Sequence, residues 1–565
     1  MKNMLLHIIV IINLLNYLSC SDISAPETRI PQGVLRGQFL TTSNNRKISA
    51  FTAIPYAEPP VGDLRFEPAQ SPPPWKGILN ASQPHPICPQ MVDFLGGVNG
   101  TPQGDEDCLY LNVYTPQLEF NNSKPSRLLP VMVFIHGGSL YYGSADRSQY
   151  NPTHLLNKDI ALVIPNYRLG PLGFLSTGDA VVPGNNGLKD QNFAIKWVKQ
   201  NIEHFGGDPD RITLFGQSSG GVSTHLHMVS PLSKDLIKGV ISQSGVAIAA
   251  SDLDPNNRTL RNTLKLAASF NCSTATSEEI VKCLKKADVY EITQRQHTFY
   301  EWRSDLITPF RPVIEKGIEG AFLPAHPAEI IKSGQAAKVP FMVGVTSEDG
   351  AAISPGFFHN PTTIEDFNAK FDTVAKYVFL YSETSPNPDY VTAQIKSYYF
   401  KNQTLTNNSF TKDALTDVCT DSYFLSDTNE VVRLHLKYTT QPVYFYAFGY
   451  RGAISYSELF GDNSYNYGVA HQDELLYIFD PKYLFPNYEP TDTDKGMVEI
   501  LTTLWTNFAA TGNPTPTTDA TIPSKWEPVK SENIEYYLIK NVTDLTMNER
   551  LYWDRISFWD SLPTK

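Results

Sequence analysis

The chain has 565 residues, of which 41% are hydrophobic and 12% aromatic. That is ample for a large packed core and too apolar for a disordered chain. A formal net charge of −12 disfavours nucleic acid and anionic membrane as partners and fits a soluble surface. Length alone would suggest about three or four domains.

In chain order, the first feature is Lys2 followed by an apolar run from Met4 to Leu18, broken only by His7, Asn13, Asn16 and Tyr17. The run ends in the small residues Ser19, Cys20 and Ser21. It is too short for a spanning helix and reads as a signal peptide over 1–21, with the mature chain beginning at Asp22. No second run of that length follows, and the residues from Ser561 to Lys565 carry no retention or anchor signal. The expected product is therefore secreted, without a membrane anchor. Sequons at Asn80, Asn99, Asn121, Asn257, Asn271, Asn402, Asn407 and Asn541 are then candidate glycan sites. Of the remaining cysteines, close spacing suggests the bridges Cys88–Cys108 and Cys272–Cys283, which leaves Cys419 as a buried thiol.

Short apolar runs at Val131–Ile135, Ile160–Ile164, Ile212–Phe215, Val240–Ile241, Phe341–Val345 and Val443–Phe448 read as buried strands. Helical patterns lie between them. Over Asp190–His204, residues Phe193, Ala194, Trp197, Val198 and Ile202 share one helical face. Strands alternating with helices predict an α/β architecture with a large, mostly parallel sheet covered on both sides. Chemistry on such a sheet sits beyond the carboxyl ends of its strands.

One of those ends is distinctive. The run Ile212–Phe215 leads into Gly216-Gln217-Ser218-Ser219-Gly220 and then a helical pattern. This is the strand–turn–helix setting of a nucleophile elbow, in which the glycines leave room for a strained turn that exposes the Ser218 hydroxyl. After the earlier strand come His136-Gly137-Gly138-Ser139. Their backbone N–H groups suit an oxyanion hole, with Gly138 and Ser139 as donors and Ser219 N–H as the third. A serine needs a base. His471, in Gly468-Val469-Ala470-His471-Gln472-Asp473-Glu474, stands last in the order Ser, acid, His. The acid should end a strand between them, and Phe341–Val345 leads to the adjacent carboxylates Glu348 and Asp349. Residues 218, 349 and 471 must then meet in one site. That overrules the length prior and makes 22–565 a single catalytic unit. No cysteine/histidine cluster has metal-ligand spacing, and no cofactor is expected.

These residues resemble the type-B carboxylesterase/cholinesterase family, and most closely its secreted insect esterases, from about Pro31 to Leu562. The resemblance rests on Phe205-Gly206-Gly207 through Gly220, on Glu106-Asp107-Cys108-Leu109-Tyr110-Leu111-Asn112-Val113, and on Asn166-Tyr167-Arg168-Leu169-Gly170 and Trp505-Thr506-Asn507-Phe508. It implies the α/β-hydrolase fold, a small-molecule carboxylic ester as substrate, and Ser218, Asp349 and His471 as triad. Its register favours Asp349, five residues after Gly344, with Glu348 as the alternative. Arg65 and Asp190 are expected to be structural anchors.

The chain departs from the family pattern in four places. Asp349 stands where Glu is usual, Ser139 where a third oxyanion glycine is expected, and Gln217 where Glu is commonest. The Cys88–Cys108 loop contains no tryptophan. Without that ring and that carboxylate, a choline ester has no cation–π platform. Gln217 and the Gly468/His471/Glu474 spacing are shared with juvenile hormone esterases, which makes that activity the alternative. Non-enzymatic adhesion relatives typically lose the serine or histidine and carry a spanning tail, so they fit this chain less well.

Overall fold

The computed structural model describes residues 25–91, 100–118, 127–249, 251–254, 256–303 and 308–564. The leader at 1–21 and the sequons Asn99 and Asn121 lie outside them.

An eleven-stranded sheet organises the chain. Its strands are β1 (Gln38–Thr41), β2 (Lys47–Pro55), β3 (Tyr110–Thr115), β4 (Leu129–Ile135), β5 (Ala161–Pro165), β6 (Gly207–Gln217), β7 (Gly239–Gln243), β8 (Phe341–Thr346), β9 (Val443–Phe448), β10 (Glu535–Asn541) and β11 (Asp544–Glu549). The spatial order is β11-β10-β9-β8-β7-β6-β4-β5-β3-β2-β1. Pairing is parallel from β5 through β4, β6, β7, β8 and β9 to β10. It turns antiparallel at both margins, where β3 meets β5 and β11 meets β10. This is an α/β-hydrolase fold. All six apolar runs lie in the parallel block. The marginal strands carry mixed residues, which is why apolar runs alone did not mark them.

The central strands are buried on both faces, and alternate side chains enter different cores. In β4, Val131, Val133 and Ile135 pack into one cluster with Trp197, Phe205 and Leu226. Met132 and Phe134 join the opposite cluster with Phe479, Trp505 and Tyr446. Helices α1 (Asn186–Asn201) and α2 (Ser219–Val229) contribute to the first cluster, and α5 (Asp492–Thr511) to the second. The helix expected over Asp190–His204 starts earlier, at Asn186, and tightens to a 3₁₀ turn over Ile202–Phe205 before Gly206 at φ 78°. Left-handed backbone at that glycine ends the helix.

A third cluster, with Phe367, Phe371, Val418 and Cys419, lies among helices inserted between β8 and β9. They include α3 (Ser409–Thr420) and α4 (Ser426–Tyr438), joined by a π-turn over Asp421–Leu425. The chain ends in α6 (Trp553–Asp560). Both expected disulfides, Cys88–Cys108 and Cys272–Cys283, are formed. Cys419 is a fully buried thiol, and burial pushes its ionisation far up. Arg65 makes a bidentate pair with Glu106 at 2.6 and 2.5 Å, and Asp190 does so with Arg168 at 2.7 Å on each arm. Both pairs tie loops to the scaffold.

A histidine pair joins α2 to α4. Ala247 N–H donates to His225 Nδ1 at 3.0 Å, so the His225 proton sits on Nε2 and points at His435 Nε2, 2.9 Å away. Burial, and then the neighbouring His435, holds His225 well below the ordinary histidine range. Burial takes His435 down to about 4. Unfolded histidine takes its proton near pH ~6.5, so the pair's stability is complete above that value and is lost as the pH falls toward 4. Each such histidine should cost about 1.4 kcal/mol per pH unit in that window. Thermal unfolding followed from pH 7 to 5 should show Tm falling, and His435→Gln should flatten the slope. An unchanged slope in the variant would remove the pair from this account.

Candidate active site

Ser218 is the single residue between β6 and α2. Its backbone lies at φ 61°, ψ −131°, a region that costs a non-glycine residue on the order of 1–3 kcal/mol. Two hydrogen bonds hold it there. Ser218 N–H donates to Gln243 O at the end of β7 (2.8 Å), and Val222 N–H donates to Ser218 O (2.9 Å). The elbow glycines also allow an approach that no side chain would permit. A Cβ on Gly216 would meet Gly220 O at 2.5 Å, and one on Gly220 would meet Ile135 O at 2.0 Å.

The loop after β4 lies alongside. Gly138 has φ 109°, and a Cβ there would meet Tyr142 O at 2.1 Å. Ser139 follows at φ 50°, a left-handed conformation that glycine adopts more readily. Its carbonyl is fixed by the Thr308 hydroxyl at 2.7 Å. Leu140 N–H donates to Ser219 Oγ at 3.3 Å, which ties this loop to the elbow. Among the described residues, the N–H groups of Gly138, Ser139 and Ser219 have no acceptor. They remain available for an anion, and Ser219 adds the positive end of α2.

His471 is 4% exposed and Asp349 fully buried. The imidazole Nδ1 lies 2.8 Å from Asp349 Oδ1. A carboxylate only accepts, so Nδ1 carries the proton and donates. Asp349 Oδ2 takes Ser244 Oγ–H at 3.0 Å and Thr346 N–H at 2.9 Å, so both oxygens are engaged. Glu348 has a different position and task. Its Oε2 accepts Val469 N–H at 2.7 Å and the Ser347 hydroxyl at 2.5 Å. Its own N–H donates to Val469 O at 3.1 Å. Glu348 therefore stitches the histidine loop to the end of β8, and Asp349 meets the ring.

Two contacts of His471 are not legible in the spacing. Gln217 Nε2 donates to His471 Nε2 at 3.1 Å, a bond that a glutamate, as an acceptor only, could not make to that lone pair. Phe424, from the π-turn, stacks on the ring with centroids 4.4 Å apart. Glu474, three residues after His471, is fully buried and accepts from Gln243 Nε2 at 3.0 Å. Burial, reinforced by Asp349, pushes Glu474 up to about 8, so it keeps its proton at neutral pH. Among the described residues, no three His, Cys, Asp or Glu side chains converge as metal ligands would.

A sheet of this topology, with a serine at a strained elbow, spare N–H donors beside it and a buried carboxylate–histidine pair, defines an α/β-hydrolase equipped for acyl chemistry. The comparisons with known proteins agree. The model of the carboxylesterase family matches residues 24–559, and the chain belongs to that family as a carboxylic ester hydrolase. It is 35% identical to the juvenile hormone esterase of Tribolium castaneum, over 95% of this chain and 93% of that one. It is 36% identical to a carboxylic ester hydrolase of Bombus ignitus, over 95% and 94%. The solved structure of juvenile hormone esterase from Manduca sexta, with OTFP covalently attached, superposes with a TM-score of 0.82 at 28% identity, over 95% of this chain and 99% of that one.

Two measurements follow from the geometry. Asp349→Asn should cost far more ester turnover than Glu348→Gln, because only Asp349 touches the imidazole; kcat of the two variants decides, and a larger loss at Glu348 would reverse the assignment. Ser139→Gly should relieve left-handed strain, raising stability by up to about 1 kcal/mol in denaturant titration, with activity kept.

Proposed function

We propose that the protein cleaves carboxylic esters through an acyl-enzyme on Ser218, with His471 as general base and then acid, and Asp349 as its orienting carboxylate. The observation that carries this reading is the 2.8 Å bond between Asp349 and His471, two buried residues on loops beside the elbow. In the first step, Gln217 yields Nε2 to the Ser218 hydroxyl, and His471 takes the serine proton as the oxygen attacks the ester carbonyl. The oxyanion rests on the N–H groups of Gly138, Ser139 and Ser219, each such donor being worth roughly 100- to 1,000-fold. The imidazolium, steadied by Asp349, then protonates the departing alcohol. Water activated by the same histidine releases the acid. Every proton moves through His471, and no step calls for a metal or organic cofactor.

The reading extends to the whole chain. Residues 22–565 act as one catalytic unit after removal of the leader at 1–21, and the product is exported as a glycoprotein. Sequon positions support this: Asn80, Asn257, Asn271, Asn402 and Asn407 are exposed, and Asn541 is partly so. Among the described residues, no helix is long and apolar enough to cross a membrane. Gln217 and the loop between Cys88 and Cys108 argue against choline esters.

Juvenile hormone hydrolysis is the second reading. The kinship to the Tribolium and Manduca hormone esterases, together with Gln217 and the Gly468/His471/Glu474 spacing, favours it. A panel of esters of increasing acyl length, with juvenile hormone included, separates the two by kcat/KM. Ser218→Ala should abolish hydrolysis of every ester and block labelling by an organophosphate while the protein stays folded. Undiminished turnover in that variant would overturn the mechanism.

A further inference from the structure

The segment that delivers Phe424 is unusual. Helices α3 and α4 form one rod, interrupted by the π-turn at Asp421–Leu425. A π-turn adds one residue to a helical turn, and each residue of an α-helix rotates the facing direction by ~100°. The rod changes partners accordingly. Leu415, Val418, Cys419 and Tyr423 pack in the inserted helical cluster. Leu425, Val431, Val432 and Leu434 pack in the core under the sheet. Phe424 is at the crossover and touches both clusters.

The turn is clamped at its first residue. Asp421, fully buried, receives Arg555 from α6 through Nε at 2.8 Å and Nη2 at 2.6 Å. It also accepts the Tyr399 hydroxyl at 2.5 Å, and Tyr399 in turn accepts Trp559 Nε1–H at 2.7 Å. One residue before the turn, Thr420 Oγ1 accepts Gly350 N–H at 2.9 Å, next to Asp349. Three residues into the rod beyond the clamp, the Phe424 ring lies 29° from the His471 plane at 4.4 Å. The same few residues thus touch the backbone of Gly350, beside Asp349, on one side and the His471 ring on the other.

We propose that Phe424 is a positioning residue for His471, held over the imidazole by the π-turn that Arg555 clamps. The inference rests on His471 being the base. Asp349 and Gln217 hold the ring's two nitrogens in its plane, and neither prevents it from tipping. A ring face against the imidazole does. The contact also strengthens when His471 takes the serine proton, because a cation over an aromatic face is attracted by its quadrupole. An interaction that grows as the proton transfers acts on kcat more than on KM.

The test compares Phe424→Ala, Phe424→Leu and Phe424→Tyr in the full chain, with a simple aryl ester as substrate. Phe424→Ala should lower kcat ten- to a hundredfold, the scale of a misplaced catalytic group, with KM within about threefold. Phe424→Leu keeps an apolar side chain of similar bulk and a near-native Tm, and should remain impaired in kcat. Phe424→Tyr restores the ring and should restore turnover. Wild-type kcat in the leucine variant, or a loss confined to KM, would overturn the proposal and leave Phe424 a filler or a pocket wall. His471→Ala is run alongside. If it keeps full turnover, the base assignment itself has failed; if it is inactive while Phe424→Ala is normal, only the positioning role has.

Discussion

The whole site depends on a backbone conformation that Ser218 would not adopt alone. A left-handed residue between a buried strand and a buried helix is tolerable only where its surroundings over-determine it. Here β7 takes its N–H, α2 begins on its carbonyl, and β4 comes so close that Gly216 and Gly220 can carry no side chain. The parallel block of the sheet is therefore the device that holds the serine out. The same block brings the Gly138–Ser139 loop after β4 and Asp349 after β8 to one edge, because parallel strands end on one side. Residues separated by 122 positions, Asp349 and His471, meet there without any local signal joining them.

This division explains what the sequence made legible. The six buried strands were visible as apolar runs because strands covered on both faces do not alternate. Ser218, Gly138 and His471 were visible because their chemistry demands particular residue types in a particular order. The choice between Asp349 and Glu348 was visible only through register; two adjacent carboxylates look alike until one is seen bonding backbone and the other an imidazole. Ser244 and Phe424 carry no such signal, and Gln217, conspicuous beside Ser218, gives no sign in the sequence of its bond to His471. Each reaches Asp349 or His471 through tertiary packing, and Phe424 through an inserted helical residue that leaves no mark in periodicity. The flanking strands β1, β2, β3, β10 and β11 carry only short or broken apolar runs, interrupted by polar residues such as Ser49, Thr52, Asn112 and Lys540.

The departures from the family pattern can be read as one adjusted set. Asp349 is a methylene shorter than glutamate and still spans to His471, and Glu348 bonds the histidine loop at Val469. Ser139 occupies a left-handed position that glycine would fill, and the Thr308 hydroxyl restrains its carbonyl. Gln217 replaces an acceptor with a donor and places that donor on the free nitrogen of the imidazole. Each substitution changes a local preference, and a neighbouring contact compensates for it.

The clamp on Asp421 joins two distant parts of the chain. Asp421 leaves the ribosome 134 residues before Arg555, and a carboxylate without its counter-ion resists burial. Until α6 docks, Asp421 lacks the guanidinium that pairs with it. The turn that carries Phe424 thus takes its support from outside its own helices, through a carboxylate that is comfortable in the interior only when a distant guanidinium has joined it.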